Sequence, residues 1–382
     1  MTPKSVAIER DGLRVAGLDW GGDGAPLLLL HPNGFCAGLF HPLAQRLGDS
    51  FRPIGVDLRG HGDSDAPASP EGYAFELMAA DVLAVLDHLG VDRVVALGQS
   101  LGGGVATLVD KLRPGIISKL LLCEAVAFAI GEMPGPPRPP GSGPGDGGNY
   151  MSTIARKRRA VWPNRGAVLE SYASRSPLDA LAPEALAAYV RWGFHDRPDG
   201  QVELACPPEV EATIFEVSSA DQGAAGAWWH LPDVRARVTV ARGTDSDLPG
   251  EWFAAQADRA DAPLVTLTGG HFFLQEDTTA PSTWCVPTSA EVHKGAMQSY
   301  RSSRSSGGSQ RADSYPSRSC GGSGVRDADP RADGGLTGWG SRDDGFLPCT
   351  GADSMVRELR RRGAVRCPSG EGCVLGREHA AR

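Results

Sequence analysis

Residues 94–104, VVALGQSLGGG, decide the fold. The first four are apolar and read as a buried strand, and the stretch that follows, GVATLVDKL, has the apolar spacing of a helix. Between them Gly98, Gln99, Ser100, Leu101 and Gly102 form Gly-x-Ser-x-Gly in the strand–turn–helix setting of a nucleophile elbow. A turn that sharp forces Ser100 into a strained backbone conformation. Glycines two residues to either side keep side chains out of its way. Ser100 is therefore the candidate nucleophile.

Outward from this turn, strand signals recur in a regular order. APLLLLHPNGF (25–35), FRPIGVDLRGHGDSD (51–65) and ISKLLLCEAV (117–126) each run apolar and then break into a polar or glycine-rich turn. Amphipathic stretches separate them, as in FELMAADVLAVLDHLG, where Leu77, Ala80, Val82, Leu83, Val85, Leu86 and Leu89 supply an apolar helical face. Continuous apolar strands alternating with helices predict an α/β fold with a mostly parallel sheet covered on both faces. In such sheets ligands gather at the C-terminal ends of the strands, where this sequence places its polar residues.

Composition narrows the function classes. The 382-residue chain carries a net charge of −8, which offers no basic footprint for nucleic acid. MTPKSVAIERDG lacks the apolar core of a signal peptide, and no stretch approaches the roughly 18 apolar residues of a membrane span. A cytoplasmic protein with no membrane or nucleic-acid partner is expected. Cys36, Cys123 and Cys206 are scattered through the body, while Cys285, Cys320, Cys349, Cys367 and Cys373 lie in the tail. None has metal-ligand spacing with a histidine partner, so neither a metal site nor a disulfide framework is read.

Together LLLLHPNGF, DLRGHGDSD, GQSLGG and GGHFF resemble the α/β-hydrolase superfamily, and the resemblance covers residues 10 to 277. The four motifs stand in the family's order, as the loop after the third strand, the turn after the fourth, the elbow after the fifth and the histidine loop. The resemblance implies an α/β-hydrolase core at 1–130 and 233–279, with a helical cap at 131–232 inserted after the sixth strand. It also implies a Ser, acid, His triad that needs no cofactor. Ser100 would be the nucleophile and His271, just past TLTGG, the general base. The oxyanion hole would use the backbone NH of Leu101 and one from HPNGF, where Asn33 is chosen and Phe35 remains open. His31 is expected to anchor that loop. Asp57, Arg59 and His61 are expected to tie loops together and not to act on substrate.

The acid is less well marked. The strand VRARVTVARG ends in GTDSDLPG, and the family's usual spacing of Gly, two residues, then Asp falls on Ser246. Asp247 is preferred because RGxxSDL resembles a variant ending within the superfamily. Asp245 and Glu124, which follows the sixth strand, remain candidates. The cap carries Trp162, Trp192, Phe194, Trp228 and Trp229, expected to form core and in part to line a pocket for an apolar acyl or alcohol group. RKRR at 156–159 is expected to be a solvated helix face or, failing that, an anion site. These readings lead to a carboxylic ester hydrolase acting on a small apolar ester or acyl compound. Carbon–carbon bond, lactone or thioester hydrolysis and perhydrolysis use the same triad. A nucleophilic Ser argues against epoxide hydrolase and haloalkane dehalogenase chemistry, which use a carboxylate.

Two segments break the pattern. PGPPRPPGSGPGDGGN (134–149) is too rich in Pro and Gly for regular structure and predicts a loop within the cap. From 280 to 382 the chain turns to runs such as SYRSSRSSGGSQRADSYPSRSCGGSG, and residues 281–382 hold 15 Lys or Arg against 11 Asp or Glu and few core formers. Disorder is expected there, apart from a short helical stretch at SMVRELRRRGAV. The family places one closing helix after the histidine loop, but TTAPSTWCVPTSAEVHKGAMQSY has two prolines and no amphipathic run. That mismatch suggests a frameshift or readthrough near 277–283, hence a fold kept without turnover, against the alternative of an evolved disordered tail.

Overall fold

The computed structural model describes residues 2–129 and 149–278. The tail at 280–382, the Pro/Gly-rich loop up to residue 148 and the stretch that would carry a closing helix lie outside the described residues.

The chain opens with a hairpin that the motif reading passes over. β1 (Lys4–Arg10) pairs antiparallel with β2 (Leu13–Asp19) through Asp11 and Gly12, both at positive φ (53° and 76°). That two-residue Asp-Gly turn has the twist that matches flanking strands. Then follow β3 (Ala25–Leu30), α1 (His41–Leu47), β4 (Phe51–Val56), α2 (Phe75–His88), β5 (Val94–Gln99), α3 (Leu101–Leu112) and β6 (Ile117–Cys123).

The next elements, between β6 and β10, form the cap. They are α4 (Tyr150–Arg156), β7 (Val161–Trp162), α5 (Arg165–Tyr172), α6 (Pro183–Trp192), β8 (Phe194–Asp196), β9 (Val202–Leu204), α7 (Pro208–Ser218) and α8 (Gly226–His230). The chain returns to the core with β10 (Arg237–Gly243), α9 (Gly250–Arg259), β11 (Leu264–Leu267) and α10 (Phe273–Glu276).

Eight strands form one sheet in the order β1-β2-β4-β3-β5-β6-β10-β11. All neighbours from β4 to β11 are parallel; β2 alone runs the other way, antiparallel to β1 on one side and to β4 on the other. This is the α/β-hydrolase fold. The continuous run Leu27–Leu30 is buried along its whole length because helices cover both faces of β3. One face packs α2, α3 and α9 around Val82, Val105, Val109 and Phe253; the other packs α1 and α10 around Phe40, Leu43, Phe273 and Leu274. On that second face Val95, Leu121, Val265 and Leu267 are only half buried.

The cap differs from its helical expectation. It includes a three-stranded antiparallel sheet, β7-β9-β8, alongside its helices. Strands of two or three residues are too short to print an alternating pattern. Trp162, Tyr172, Tyr189 and Phe194 join Phe35, Leu39 and Phe272 of the segments beneath in one apolar cluster. Asn149 and Asn164 cap α4 and α5, their side-chain oxygens each accepting a backbone N–H at 2.9 Å.

At the elbow a helix meets the sheet main chain to main chain. A Cβ on Gly102 would lie 2.2 Å from the carbonyl oxygen of Leu30, and one on Gly98 would lie 2.5 Å from the carbonyl oxygen of Gly102. α3 therefore rests on β3 and β5 backbone to backbone. Gly102→Ala, which drives a methyl into a main-chain oxygen that cannot move without shifting β3, should destabilise the protein by about 1–3 kcal/mol. A thermal melt of this variant should show Tm lowered by several degrees; an unchanged Tm would mean the helix is free to lift from the sheet.

Candidate active site

Each group of the site stands at a strand end, where the backbone has just left the sheet. Ser100 sits at φ 53°, ψ −117°, the strained conformation its motif requires. Its N–H donates to Cys123 O at 2.9 Å and its carbonyl accepts from Val126 N at 2.8 Å, which locks the turn to the end of β6. Gln99, one residue earlier, donates from Nε2 to His271 O at 3.0 Å and exchanges side-chain amide hydrogen bonds with Gln275. A buried amide thus ties the serine's strand to the histidine's loop.

The carboxylate against His271 is Glu124, not Asp247. Glu124 Oε2 lies 2.7 Å from His271 Nδ1, and its side chain is wholly buried. The same carboxylate accepts Gly243 N–H at 2.8 Å and the Ser246 hydroxyl at 2.7 Å. Glu124 leaves β6 at φ 45°, with its N–H on Ala241 O at 2.9 Å, and this aims its side chain across the end of β10. Asp247 is exposed and Asp245, also exposed, takes its neighbour Thr244's hydroxyl at 3.1 Å. Position 246, where the family's usual spacing falls, carries a serine with no carboxylate to offer. The longer Glu124 fills the space from the neighbouring strand, and Ser246 donates to it.

With Nδ1 held by a carboxylate, the ring presents Nε2 for proton exchange. Neither this nitrogen nor the Ser100 hydroxyl has a hydrogen-bond partner among the described residues. His271 is a quarter exposed, so the ring is open to a ligand while its acid is not.

The two candidate oxyanion donors are also open. Leu101 N–H begins α3 and has no acceptor among the described residues. In HPNGF, Phe35 N–H donates to Pro32 O at 3.3 Å and Gly34 N–H to His61 Nε2 at 3.0 Å, which leaves the Asn33 N–H unpaired. His31 explains its direction. The Nδ1–H of His31 donates to Pro32 O at 2.8 Å, so the carbonyl end of the Pro32–Asn33 peptide is anchored and its N–H end points the other way. Phe35 also packs on Phe272 (ring centroids 5.1 Å apart), so the oxyanion loop and histidine loop share an aromatic contact.

DLRGHGDSD behaves as a brace. Leu58 N–H donates to His31 Nε2 at 3.0 Å. The Asp57 carboxylate accepts Ala37 and Asp63 N–H groups at 2.7 and 3.1 Å, with burial pushing its pKa up to about 7. Arg59 pairs with the buried Asp81. Burial pulls His61 down to about 4 and His31 well below its ordinary value, so both rings are neutral and can accept at Nε2. The cap aromatics go into packing: Trp162 and Phe194 into the cap core, Trp192 against His41 (centroids 4.8 Å), Trp228 and Trp229 against the Arg259 guanidinium. Among the described residues no cluster of three or more His, Cys, Asp or Glu side chains is arranged to hold a metal ion, and no helix is long and apolar enough to cross a membrane.

Comparison with known proteins agrees with this architecture. The α/β hydrolase fold family model matches residues 25–165. The chain is similar to epoxide hydrolase 4 of Mus musculus, 37% identical over 120 residues, covering 31% of this chain and 33% of that protein. It is similar to AB hydrolase superfamily protein YisY of Bacillus subtilis, 38% identical over 118 residues (30% of this chain, 43% of that one). It is similar to a non-heme chloroperoxidase of Streptomyces lividans, 36% identical over 119 residues (30% and 42%). The chain therefore spans less than half the length of these curated relatives. Among solved structures it resembles a thioesterase domain from the curacin biosynthetic pathway, with TM-score 0.58, 19% identity and coverage of 72% of this chain and 95% of that one. It also resembles Est816, an N-acyl homoserine lactone degrading enzyme, with TM-score 0.50, 25% identity and coverage of 72% and 96%. Residues 25–165 thus match the α/β hydrolase fold family, and the described core shares that fold.

Two predictions follow from this geometry. Glu124→Gln keeps the shape but removes the charge that fixes the His271 tautomer, and should slow fluorophosphonate labelling by about 10³- to 10⁴-fold, while Asp247→Asn leaves the rate unchanged. The reverse ranking would return the role to Asp247. The second concerns acid. His31 and His61 titrate low when folded and near 6.5 when unfolded, so their contribution is complete above pH 6.5 and is lost as pH falls toward 4. Asp57, pushed up to about 7, contributes in the opposite sense over the same pH range, so the test uses Asp57→Asn: its Tm by circular dichroism should fall from pH 6.5 to 4.5, and a flat profile in that variant would contradict buried neutral rings.

Proposed function

We propose that the protein is a serine hydrolase that cleaves a carboxylic ester, or a related acyl compound, through an acyl-enzyme on Ser100. The observation that carries this reading is the 2.7 Å contact between His271 Nδ1 and a buried Glu124, beside a serine in the elbow conformation. His271 Nε2 takes the proton of the Ser100 hydroxyl as its oxygen attacks the acyl carbon. Glu124 holds the ring tautomer and stabilises the imidazolium. The N–H groups of Leu101 and Asn33 receive the charge that develops on the carbonyl oxygen. The imidazolium then protonates the leaving alcohol, and neutral His271 activates the water that releases the acid. No step calls for a metal or organic cofactor.

A serine nucleophile distinguishes this chemistry from the activity in the name of the epoxide hydrolase relatives. Opening an epoxide with a carboxylate leaves an ester that water can cleave, whereas opening it with a serine would leave a stable ether. The relative named as a lactone-degrading enzyme keeps a cyclic ester within the substrate range, and thioester cleavage, carbon–carbon bond hydrolysis and perhydrolysis could use the same groups.

A second reading, of a fold kept without turnover, has one observation in its favour. TTAPSTWCVPTSAEVHKGAMQSY (278–300) has two prolines and no amphipathic run where the family's closing helix is expected. Burying an apolar side chain is worth about 1.5–3 kcal/mol, so loss of that helix would weaken support for the His271 loop.

One experiment separates the two. A p-nitrophenyl ester chain-length series on the full-length protein and on a version truncated after residue 280 should show turnover with a preference for short to medium acyl chains. Ser100→Ala should abolish both turnover and fluorophosphonate labelling. Persistent labelling of Ser100→Ala would remove Ser100 from its role, and a wild type silent toward every ester would favour the fold-only reading.

A further inference from the structure

The basic run RKRR (156–159) divides in the structure. Arg156 lies on the surface, paired with Glu209 and Glu216 at 2.8 Å. Arg158 turns inward and pairs with Glu211, whose side chain is nearly buried. Its Nη2 also donates to Tyr189 OH at 2.9 Å and Tyr172 OH at 3.3 Å. The two hydrogen-bonded partners nearest the core each touch the HPNGF loop. Tyr189 OH donates to Gly34 O at 3.0 Å, and the backbone oxygen of Glu211 accepts Asn33 Nδ2 at 3.0 Å. Gly34, at φ +79°, presses so closely on this pair that a Cβ there would lie 2.7 Å from Glu211 Cδ and 3.0 Å from Arg158 Nη1.

The oxyanion loop is therefore held between two bodies. From the core, His61 takes Gly34 N–H and His31 holds Pro32 O. From the cap, Tyr189 takes the other side of Gly34 and Glu211 holds the Asn33 side chain. Only the Asn33 N–H is left over, and its direction depends on both sets of contacts. The guanidinium has no surplus charge to offer an anionic ligand, because Glu211 neutralises it and two phenol oxygens occupy Nη2. A planar fork that meets three fixed acceptors does what an ammonium on a flexible stem cannot.

We propose that Arg158 is a positioning residue for the oxyanion hole. Acting through Tyr189 and Glu211, it holds Asn33 and Gly34 so that the Asn33 N–H is aimed at the reacting carbonyl, and the hole is complete only while the cap is seated. This inference rests on the serine-hydrolase reading of the site. It assigns the cap a share in transition-state stabilisation, beyond any part in covering the substrate.

The test uses the full chain with p-nitrophenyl acetate as substrate and a trifluoromethyl ketone, whose serine adduct carries the same oxyanion, as inhibitor. Tyr189→Phe removes one hydroxyl and keeps the ring in the cap core. Arg158→Lys keeps the charge and loses the fork. Each should lower kcat about tenfold with KM unchanged, and weaken the ketone by the same factor, since one hydrogen bond's worth of aim is lost only where charge develops. Glu211→Gln provides a third variant should Arg158→Lys fold poorly. Unchanged kcat and ketone affinity with a lowered Tm would reduce the cluster to a structural strut and overturn the proposal. So would a raised KM with kcat intact, which would make Arg158 a substrate-binding residue. A wild type that turns over no ester, or a Ser100→Ala variant that still does, would instead overturn the serine-hydrolase reading, and this inference with it.

Discussion

The structure depends on a helix that touches a sheet without side chains between them. α3 approaches β3 and β5 so closely that Gly98 and Gly102 have no room for a Cβ, while Gly103 packs on the Ala125 methyl and Gly104 on the Val126 carbonyl just past β6. This contact places the first turn of α3, with the open N–H of Leu101, directly over the strand ends. It also forces the chain at Ser100 into φ 53°, which lifts the serine clear of the backbone. Strain of this kind persists only where the surroundings over-determine it, and here two hydrogen bonds to the end of β6 and four glycines do so. The site is thus a consequence of how tightly the core packs.

From that fixed serine the remaining groups are located by strand order. β5 and β6 are neighbours, so the residue after β6 stands beside the elbow. β10 is the next neighbour, so the turn after β10 stands beside Glu124. The carboxylate can bridge these ends because its two oxygens divide the work: Oε1 takes the Gly243 N–H, and Oε2 takes both Ser246 and His271. A carboxylate so held is rigid as well as buried, and rigidity is what a triad acid must lend to its histidine.

How much of this was legible in the sequence follows from the range of each signal. The elbow was readable because its constraint is local: glycines two residues from a serine, between a strand and a helix. The mostly parallel sheet and the histidine loop were readable from apolar runs and motifs in sequence order. The acid was not, because spacing along one strand led to Ser246 and its neighbours, while the group in contact comes from position 124, 147 residues before His271. Its one local mark is a glutamate directly after an apolar strand, LLLCE, where burial obliges a carboxylate to find a partner. The first hairpin is marked in ERDGLR by an Asp-Gly pair between two alternating runs. The cap sheet left no trace, its strands being only two or three residues long. Arg158 looked like its neighbours in RKRR because nothing nearby in sequence reveals a partner 53 residues away.

The two histidines of HPNGF and DLRGHGDSD show how a core can aim a backbone group without touching substrate. Each is neutral, donates from Nδ1 to a carbonyl and accepts at Nε2 from a main-chain N–H. A protonated ring would have no lone pair to accept with, so burial that disfavours the cation also preserves the brace. Through His31 the carbonyl of Pro32 is fixed, and a planar peptide then fixes the Asn33 N–H at its other end. One rigid bond therefore converts a buried hydrogen bond into a direction in the active site. On the cap side Tyr189 performs the matching task at Gly34. The loop needs both because a glycine at φ +79° supplies the sharp turn but no stiffness of its own. Flexibility at Gly34 makes the turn possible, and the neighbours on either side restore the precision that flexibility removes.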